Sequence, residues 1–300
     1  MTAIKKHRRK LFHSGWVFDS INVVFLGFLA VICILPFINI IAISLSSPQA
    51  ASSGKVGFWP IGFTIDAYTY AFTKPRFLLS MRTSVIRVIL GVSINMIMII
   101  LTAYPLSKSK DVLRGRTIFS WFFVVTMLIG GGLIPTFLIV HMTGLMDSIW
   151  ALVIPGAVPV FNVVILLNFF RQIPHEYEES ARIDGAGDWT TLFRIYVPLA
   201  MPCLATLILF QSVGHWNEWF AGRIYLADIN DYPLATYLQA AMVKPNFDMT
   251  NFNEIQRYAQ VTSRTLSTAQ IIIGALPIIM VYPFLQRYFV EGMMLGGLKG

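Results

Sequence analysis

The chain is 300 residues long, 56% hydrophobic and only 13% charged, with a mean hydropathy of +0.65 and a formal net charge of +8. Soluble domains carry roughly a quarter of their residues as Asp, Glu, Lys and Arg, so a pair of water-soluble domains is excluded. The apolar residues come instead in runs close to the roughly 20 that a bilayer-spanning helix needs, and the chain reads as an all-α integral membrane protein.

Residues 1–16 are a basic N-terminal segment containing KKHRRK. The apolar run behind it is much longer than the roughly 7–15 residues of a signal-peptide core, so it reads as a retained anchor. Six membrane blocks are predicted, at about 20–45, 83–105, 117–140, 149–170, 197–221 and 268–290, within a transmembrane domain of 17–290. Pro36, Pro135, Pro155, Pro159 and Pro277 fall inside these blocks. Such breakers are tolerated in membrane helices because neighbouring segments re-satisfy the freed backbone groups.

Between the first two blocks, a Ser/Gly/Pro-rich connection leads into a short helix around DAYTYAF. Arg87, near one end of the second block, reads as a snorkelling side chain. The loop SKSKDVLRGR is compact and basic. In the third block, Gly130-Gly131-Gly132 with Pro135 leaves two readings open: a broken helix lining a pathway, or a kink that permits close packing. Asn95, Asn162, Asn168, Gln211 and His215 are polar groups at membrane depth, where an interhelical hydrogen bond is the ordinary role. Glu218, an ionisable group near the end of the fifth block, is either a site residue or a headgroup-level side chain. A long polar loop follows at 222–266, with turn signals at Asp231-Tyr232-Pro233 and Lys244-Pro245-Asn246.

If both ends face the cytoplasm, 14 of the 23 Lys and Arg lie inside, among them Lys5, Lys6, Arg8, Arg9, Lys10, Lys108, Lys110, Arg114 and Arg116. The net charge therefore records topology, and nucleic acid is not an expected partner. Cys33 and Cys203 sit in apolar blocks at similar distances from opposite faces, so a disulfide is not expected, and no metal spacing is present. No phosphate-cradling G-x-x-x-x-G-K-[ST], no H-E-x-x-H and no C-x-x-C occurs; Gly185-Ala186-Gly187 fails as a dinucleotide fingerprint at Thr190. No catalytic residue is assigned.

The passage 176–196 interrupts this hydrophobic chain with polar residues. Pro174 ends the preceding segment, and Glu176, Glu178 and Glu179 crowd a first helical turn, where the helix dipole favours acid. Glu178 stands four residues before Arg182, the favourable order for a helical pair. Gly185 supplies a stop and Asp188 a cap for a second helix, in which Trp189, Leu192, Phe193 and Tyr196 fall on one apolar face. Physical reasoning leaves an interfacial hairpin and a docking element equally open.

Glu179-Ser180-Ala181, Asp184-Gly185-Ala186, Ile195 and Pro198 together resemble the EAA loop of binding-protein-dependent ABC importer permeases, with Ser180 in place of the middle Ala. GLMDSIWALVIP, HWNEW and the tail LQRYFVEGMMLGGLKG resemble the maltose-transporter type of carbohydrate permease, specifically its second membrane subunit. The likeness runs over nearly the whole chain and is closest to the branch that handles oligosaccharides from polysaccharide breakdown, such as the alginate importer of Gram-negative cells.

This resemblance implies the type I ABC importer permease fold, with six transmembrane helices, both termini cytoplasmic, and residence in the cell inner (cytoplasmic) membrane. It implies a non-catalytic transport subunit that binds no cofactor, ATP and Mg sitting on a partner ATPase dimer. The other implied partners are a second permease subunit, an extracytoplasmic solute-binding protein and a carbohydrate. Within the coupling loop, Glu179 would make the polar contact to the ATPase, beside Ser180 and Asp184. Ala181 and Ala186 would supply close packing and Gly185 the turn. The C-terminal segment 291–300, with Gly296, Gly297, Lys299 and Gly300, would reach between the ATPase subunits, and loop 222–266 would meet the binding protein. His215, Trp216, Asn217 and Glu218 would line the translocation path. Two other readings are a permease of the same architecture for a non-sugar solute, and an ion-coupled carrier using Glu218.

Overall fold

Hydrocarbon offers the backbone no hydrogen-bond partners, so a spanning segment must satisfy its own, and each described regular element is a helix. The structure, a computed structural model, describes residues 14–243 and 262–297. By length and composition three described helices can cross a membrane unaided, and three bent pairs raise the number to six if each pair is one span. The chain divides into two compact units.

The first unit holds α1 (Ser14–Ser44), α2 (Pro48–Ser52), the start of α3 (Asp66–Thr73) and the beginning of the last helix, α14 (Ser263–Gly297). From Phe18 to Ile38, α1 is largely apolar and exposes nearly all of that surface, the composition of a helix facing lipid, while Ala42, Ile43 and Ser44 in its last turn are buried. Its final turns are held to the following loop by polar groups. Asn39 Nδ2 donates to the carbonyls of Val56 and Gly57 at 3.3 and 2.7 Å, and Ser44 Oγ meets the Tyr68 hydroxyl at 2.7 Å. The short helix expected around DAYTYAF is α3.

The second unit is organised by α4 (Pro75–Ser107). Pro75 stands in its first turn, where a missing N–H costs nothing. Eight residues precede the apolar block at 83, because Arg76, Ser80 and Arg82 hide the helix from a hydropathy reading. Ser80, Ser84, Arg87, Gly91, Asn95, Ile99 and Ala103 are buried at three- and four-residue spacing, one continuous face. That face packs against α7 (Val160–Gln172) and α11 (Met201–Asn217). The resulting core joins Ile99, Ala103, Val163, Leu166, Leu192 and Leu207.

The other predicted spans are broken. The third is α5 (Arg116–Leu128) and α6 (Leu133–Met142), bent by 112° at the glycine triplet, where Gly132 has φ +81°. A Cβ on Gly130 or Gly132 would meet nothing within 4 Å and one on Gly131 only Pro135 at 4.0 Å, so among the described residues the triplet breaks the helix without serving close packing. The fourth is two 3₁₀ turns, Ile149–Leu152 and Ile154–Gly156, followed by α7 at 47°. The loop between the third and fourth is fastened by Asp147, whose Oδ1 accepts from the Ala227 N–H at 2.6 Å.

The segment at 222–266 is not one long loop. It contains the end of α12 (Phe220–Tyr225) and α13 (Leu234–Val243), with Leu234 and Thr236 buried. Both are short, and the polar residues around them concealed them. Lys244-Pro245-Asn246 lies outside the described residues, as do residues 1–13. Cys33 is exposed and Cys203 buried, and both are free.

Candidate functional site

The polar passage after α7 folds as α8 (His175–Ile183), a glycine turn, α9 (Asp188–Thr191), a π-helical turn Leu192–Tyr196, and α10 (Val197–Leu199) leading into α11. Gly185 closes α8 with φ +80°, a left-handed conformation that a Cβ disfavours. The Ala186 N–H returns to the Ala181 carbonyl at 2.8 Å, and the Gly185 N–H to that of Arg182 at 3.1 Å. These bonds are the reason the chain reverses here: they satisfy the carbonyls a helix end leaves open. Asp188 is the first residue of α9 and not its cap; Gly187 holds the cap position.

The expected single apolar face of the second helix divides. Leu192 and Tyr196 are buried, whereas Trp189 and Phe193 are 66% and 53% exposed, stacked with centroids 6.1 Å apart and planes 8° from parallel. A π turn inserts an extra residue into the helical repeat, so a face drawn at 3.6 residues per turn no longer holds together across it. The loop consequently presents Trp189, Phe193 and Ile183 outward.

Beneath this surface lies a charged cluster. Glu178, Lys108 and Tyr196 are buried. Lys108, which follows α4, reaches Glu178 Oε2 at 2.7 Å; the Tyr196 hydroxyl donates to the same oxygen at 2.9 Å, and Arg182 to Oε1 at 3.0 Å. The Lys108 ammonium sits 4.1 and 4.2 Å from the ring centres of Tyr104 and Tyr196, a cation between two aromatic faces. Those rings and Phe170 pack edge to face, at 5.1 to 6.4 Å. Arg116 donates to the Lys108 carbonyl at 2.7 Å and fixes the backbone.

Burial pushes the Lys108 ammonium below its usual pKa, with the Glu178 carboxylate pulling the other way. For Glu178, burial would raise the pKa, but hydrogen bonds from Lys108, Tyr196 and Arg182 and the Lys108 charge outweigh it, holding the carboxyl below the ordinary 4.5. A carboxylate held low in the folded chain adds stability that is complete above its unfolded pKa and is lost as pH falls through the folded one. The melting margin of wild type over Glu178→Gln in detergent is therefore expected to be flat from about pH 7 to about pH 5 and to shrink below that. A margin that grows on acidification contradicts this assignment.

A second polar seam runs between α4 and α11. Arg87 is 2% exposed and does not snorkel: it donates to the Glu218 carboxylate at 2.6 Å and to the Glu218 backbone carbonyl at 2.8 Å. The remaining carboxylate oxygen accepts from the Ala221 N–H at 2.8 Å. Asn95 donates to Gln211 Oε1 at 2.6 Å. Between these pairs the His215 ring lies on Gly91, where a Cβ would come within 2.4 Å of it. Arg87 Nε, Asn95 Oδ1 and His215 Nε2 form no hydrogen bond among the described residues.

The six loop residues singled out in sequence stand together at the α8 turn. Glu179, Ser180, Asp184 and Gly185 are exposed, Ala186 is half-buried and Ala181 is buried within its own chain. Around 215–218, Trp216 is buried and donates its indole N–H to the Gly274 carbonyl at 2.9 Å. Asn217 is exposed and His215 half-buried. Helix α14 continues as far as Gly297, so Gly296 and Gly297 end a helix, while Lys299 and Gly300 lie outside the described residues. Sequence reasoning missed Lys108 and Tyr196 as partners of Glu178. The available signal was a lysine at the edge of an apolar span, next to Tyr104.

The family model for binding-protein-dependent transport system inner membrane components matches residues 71–294. Protein LplC of Bacillus subtilis (strain 168) is 39% identical over 287 residues, 96% of each chain. The polygalacturonan/rhamnogalacturonan transport system permease protein YtcP of the same strain is 38% identical over 284 residues, 95% of this chain and 99% of that protein. A chain in the crystal structure of a bacterial ABC transporter involved in the import of the acidic polysaccharide alginate superposes with a TM-score of 0.85 at 32% identity, covering 94% of this chain and 99% of that one. A chain from a bacterial alginate ABC transporter in complex with alginate pentasaccharide-bound periplasmic protein shares the fold, at 16% identity and a TM-score of 0.56. The polar loop on its glycine turn, the broken spans and these likenesses together make the chain a member of the family of binding-protein-dependent transport system inner membrane components.

Proposed function

We propose that this chain is a permease subunit of an ATP-driven importer that carries oligosaccharides derived from acidic polysaccharides across the cell inner membrane. The observation that carries the reading is the near full-length likeness to permeases whose named cargoes are polygalacturonan, rhamnogalacturonan and alginate. Galacturonans and alginate are uronic-acid polymers, so the shared chemistry is a chain of sugar carboxylates.

In this reading the chain performs no catalysis and holds no nucleotide; ATP and Mg act on an associated ATPase dimer. A second permease completes the membrane unit, and a binding protein delivers the sugar from outside, with both termini of this chain in the cytoplasm. The α8 turn enters a cleft of the ATPase, offering Glu179 as a polar contact and Trp189 and Phe193 as apolar area. Exposed apolar clusters of this kind on an otherwise polar loop mark interaction surfaces. Gly296, Gly297, Lys299 and Gly300 approach the ATPase pair. Asn217, with the half-exposed Glu218 and His215, faces the path, and Trp216 holds the helix in place behind them.

The test is uptake by the complete transporter in proteoliposomes, with binding protein outside and ATP inside. Labelled oligogalacturonides or oligoalginates are expected to accumulate only with ATP, and neutral maltodextrins to compete poorly. Accumulation of maltodextrin in preference to either uronide contradicts the cargo assignment, and accumulation without ATPase or ATP contradicts the importer itself.

A further inference from the structure

The surface that faces an ATPase explains how α8 receives a push, but not how the push leaves it. Helix α8 has only nine residues and is bounded by Pro174 and a glycine turn, so neither end is a stiff connection to the membrane helices. Among the described residues, its charged lateral attachment is Glu178, bonded to Lys108 of the α4 end and to Tyr196 of the π turn. All three side chains are buried, and the Tyr104 and Tyr196 rings flank the ammonium.

This attachment leads somewhere. From Lys108 the chain returns along roughly 30 Å of α4 to Arg87, at 1.5 Å per residue. There a second ion pair, buried at its Arg87 end, joins α4 to Glu218, where α11 ends. Breaking either partner of a buried pair leaves an uncompensated charge, so such joints resist opening. The Arg182–Asp188 pair at 3.6 Å has both side chains exposed and offers no comparable hold.

We propose that Lys108 and Glu178 form a latch that stays closed throughout the transport cycle, making α8 and α4 one rigid lever that carries displacement of the loop to the Arg87–Glu218 joint. The inference rests on the importer reading, in which α8 is what the ATPase moves. Lys108 and Glu178 are positioning residues and touch neither ATP nor sugar.

The latch is tested in the reconstituted transporter by measuring oligogalacturonide taken up per ATP hydrolysed. In Glu178→Gln the ATPase is expected to co-purify and hydrolyse ATP, while uptake per ATP falls by about tenfold or more, as for a severed buried pair. A purely structural role would lower the amount of complex and leave that ratio unchanged, which overturns the proposal. A second arm uses Lys108→Cys/Glu178→Cys with the exposed Cys33 replaced by Ser. Bridging the two thiols with a short reducible crosslinker is expected to restore the ratio toward wild type, and reduction to abolish the gain. A bridge that stops uptake, or leaves the ratio where it was, shows that the pair must open or does not transmit, and either result overturns the latch. Loss of ATP dependence in the wild-type transporter sinks the importer reading instead, independently of the variants.

Discussion

Glu218→Leu is expected to lower the stability of the chain in detergent by about 3 kcal/mol, the lower end of the range for breaking a buried ion pair. Arg87 is the reason. Its guanidinium lies inside a membrane helix at 2% exposure, and Glu218 gives it both a carboxylate and a backbone carbonyl. With the carboxylate gone, a permanently charged group remains where neither water nor lipid can solvate it. The reverse change is expected to be milder. In Arg87→Met the Glu218 side chain, 36% exposed, can turn toward solvent. The double variant should recover most of the loss, because an apolar pair of similar volume replaces a buried ion pair at little cost. Melting of the four proteins in one detergent checks the order: Glu218→Leu lowest, Arg87→Met next, the double variant near wild type. Equal losses for the two single variants contradict the unequal burial of the two ends, and additive losses in the double contradict their coupling.

That pair also marks where reading the sequence ran out. Local patterns were legible wherever cause and effect lie within a turn or two: the Glu178–Arg182 pair at 3.0 Å and the stop at Gly185 stand as the residues imply, whereas the glycine triplet left a break and a packing kink both open and the structure shows the break. Contacts across the bundle were not. Arg87 finds Glu218 and Lys108 finds Glu178 only because α4 packs between elements distant in sequence, and one-dimensional periodicity carries no information about which polar groups meet. Arg87 accordingly looked like a side chain escaping to the interface. The divided face at Trp189 and Phe193 failed for another reason, since a π turn changes the repeat on which the face was drawn. Helix α13 was hidden because a helix packed on others can bury Leu234 and Thr236 while the surrounding segment stays polar overall.

Gly185→Asp is expected to leave the subunit folded in the membrane and to cut ATP-driven uptake by about a hundredfold, the equivalent of about 3 kcal/mol. Two observations separate these effects. A Cβ at residue 185 would meet nothing within 4 Å, so the side chain damages no packing within the chain. The backbone φ of +80° adds a strain of about 1 kcal/mol for a residue with a Cβ, a loss the whole subunit can absorb. The larger effect arises only on docking, when a carboxylate enters a cleft shaped for a bare turn and must be desolvated without a partner. Gly185→Ala carries the strain without the charge, and its uptake should fall by no more than about tenfold. The diagnostic result is therefore a gap between the two variants in uptake, with equal amounts of each in the membrane. Equal uptake by both would place the defect in the turn itself, and normal uptake by Gly185→Asp would remove the α8 turn from the path between ATPase and membrane helices.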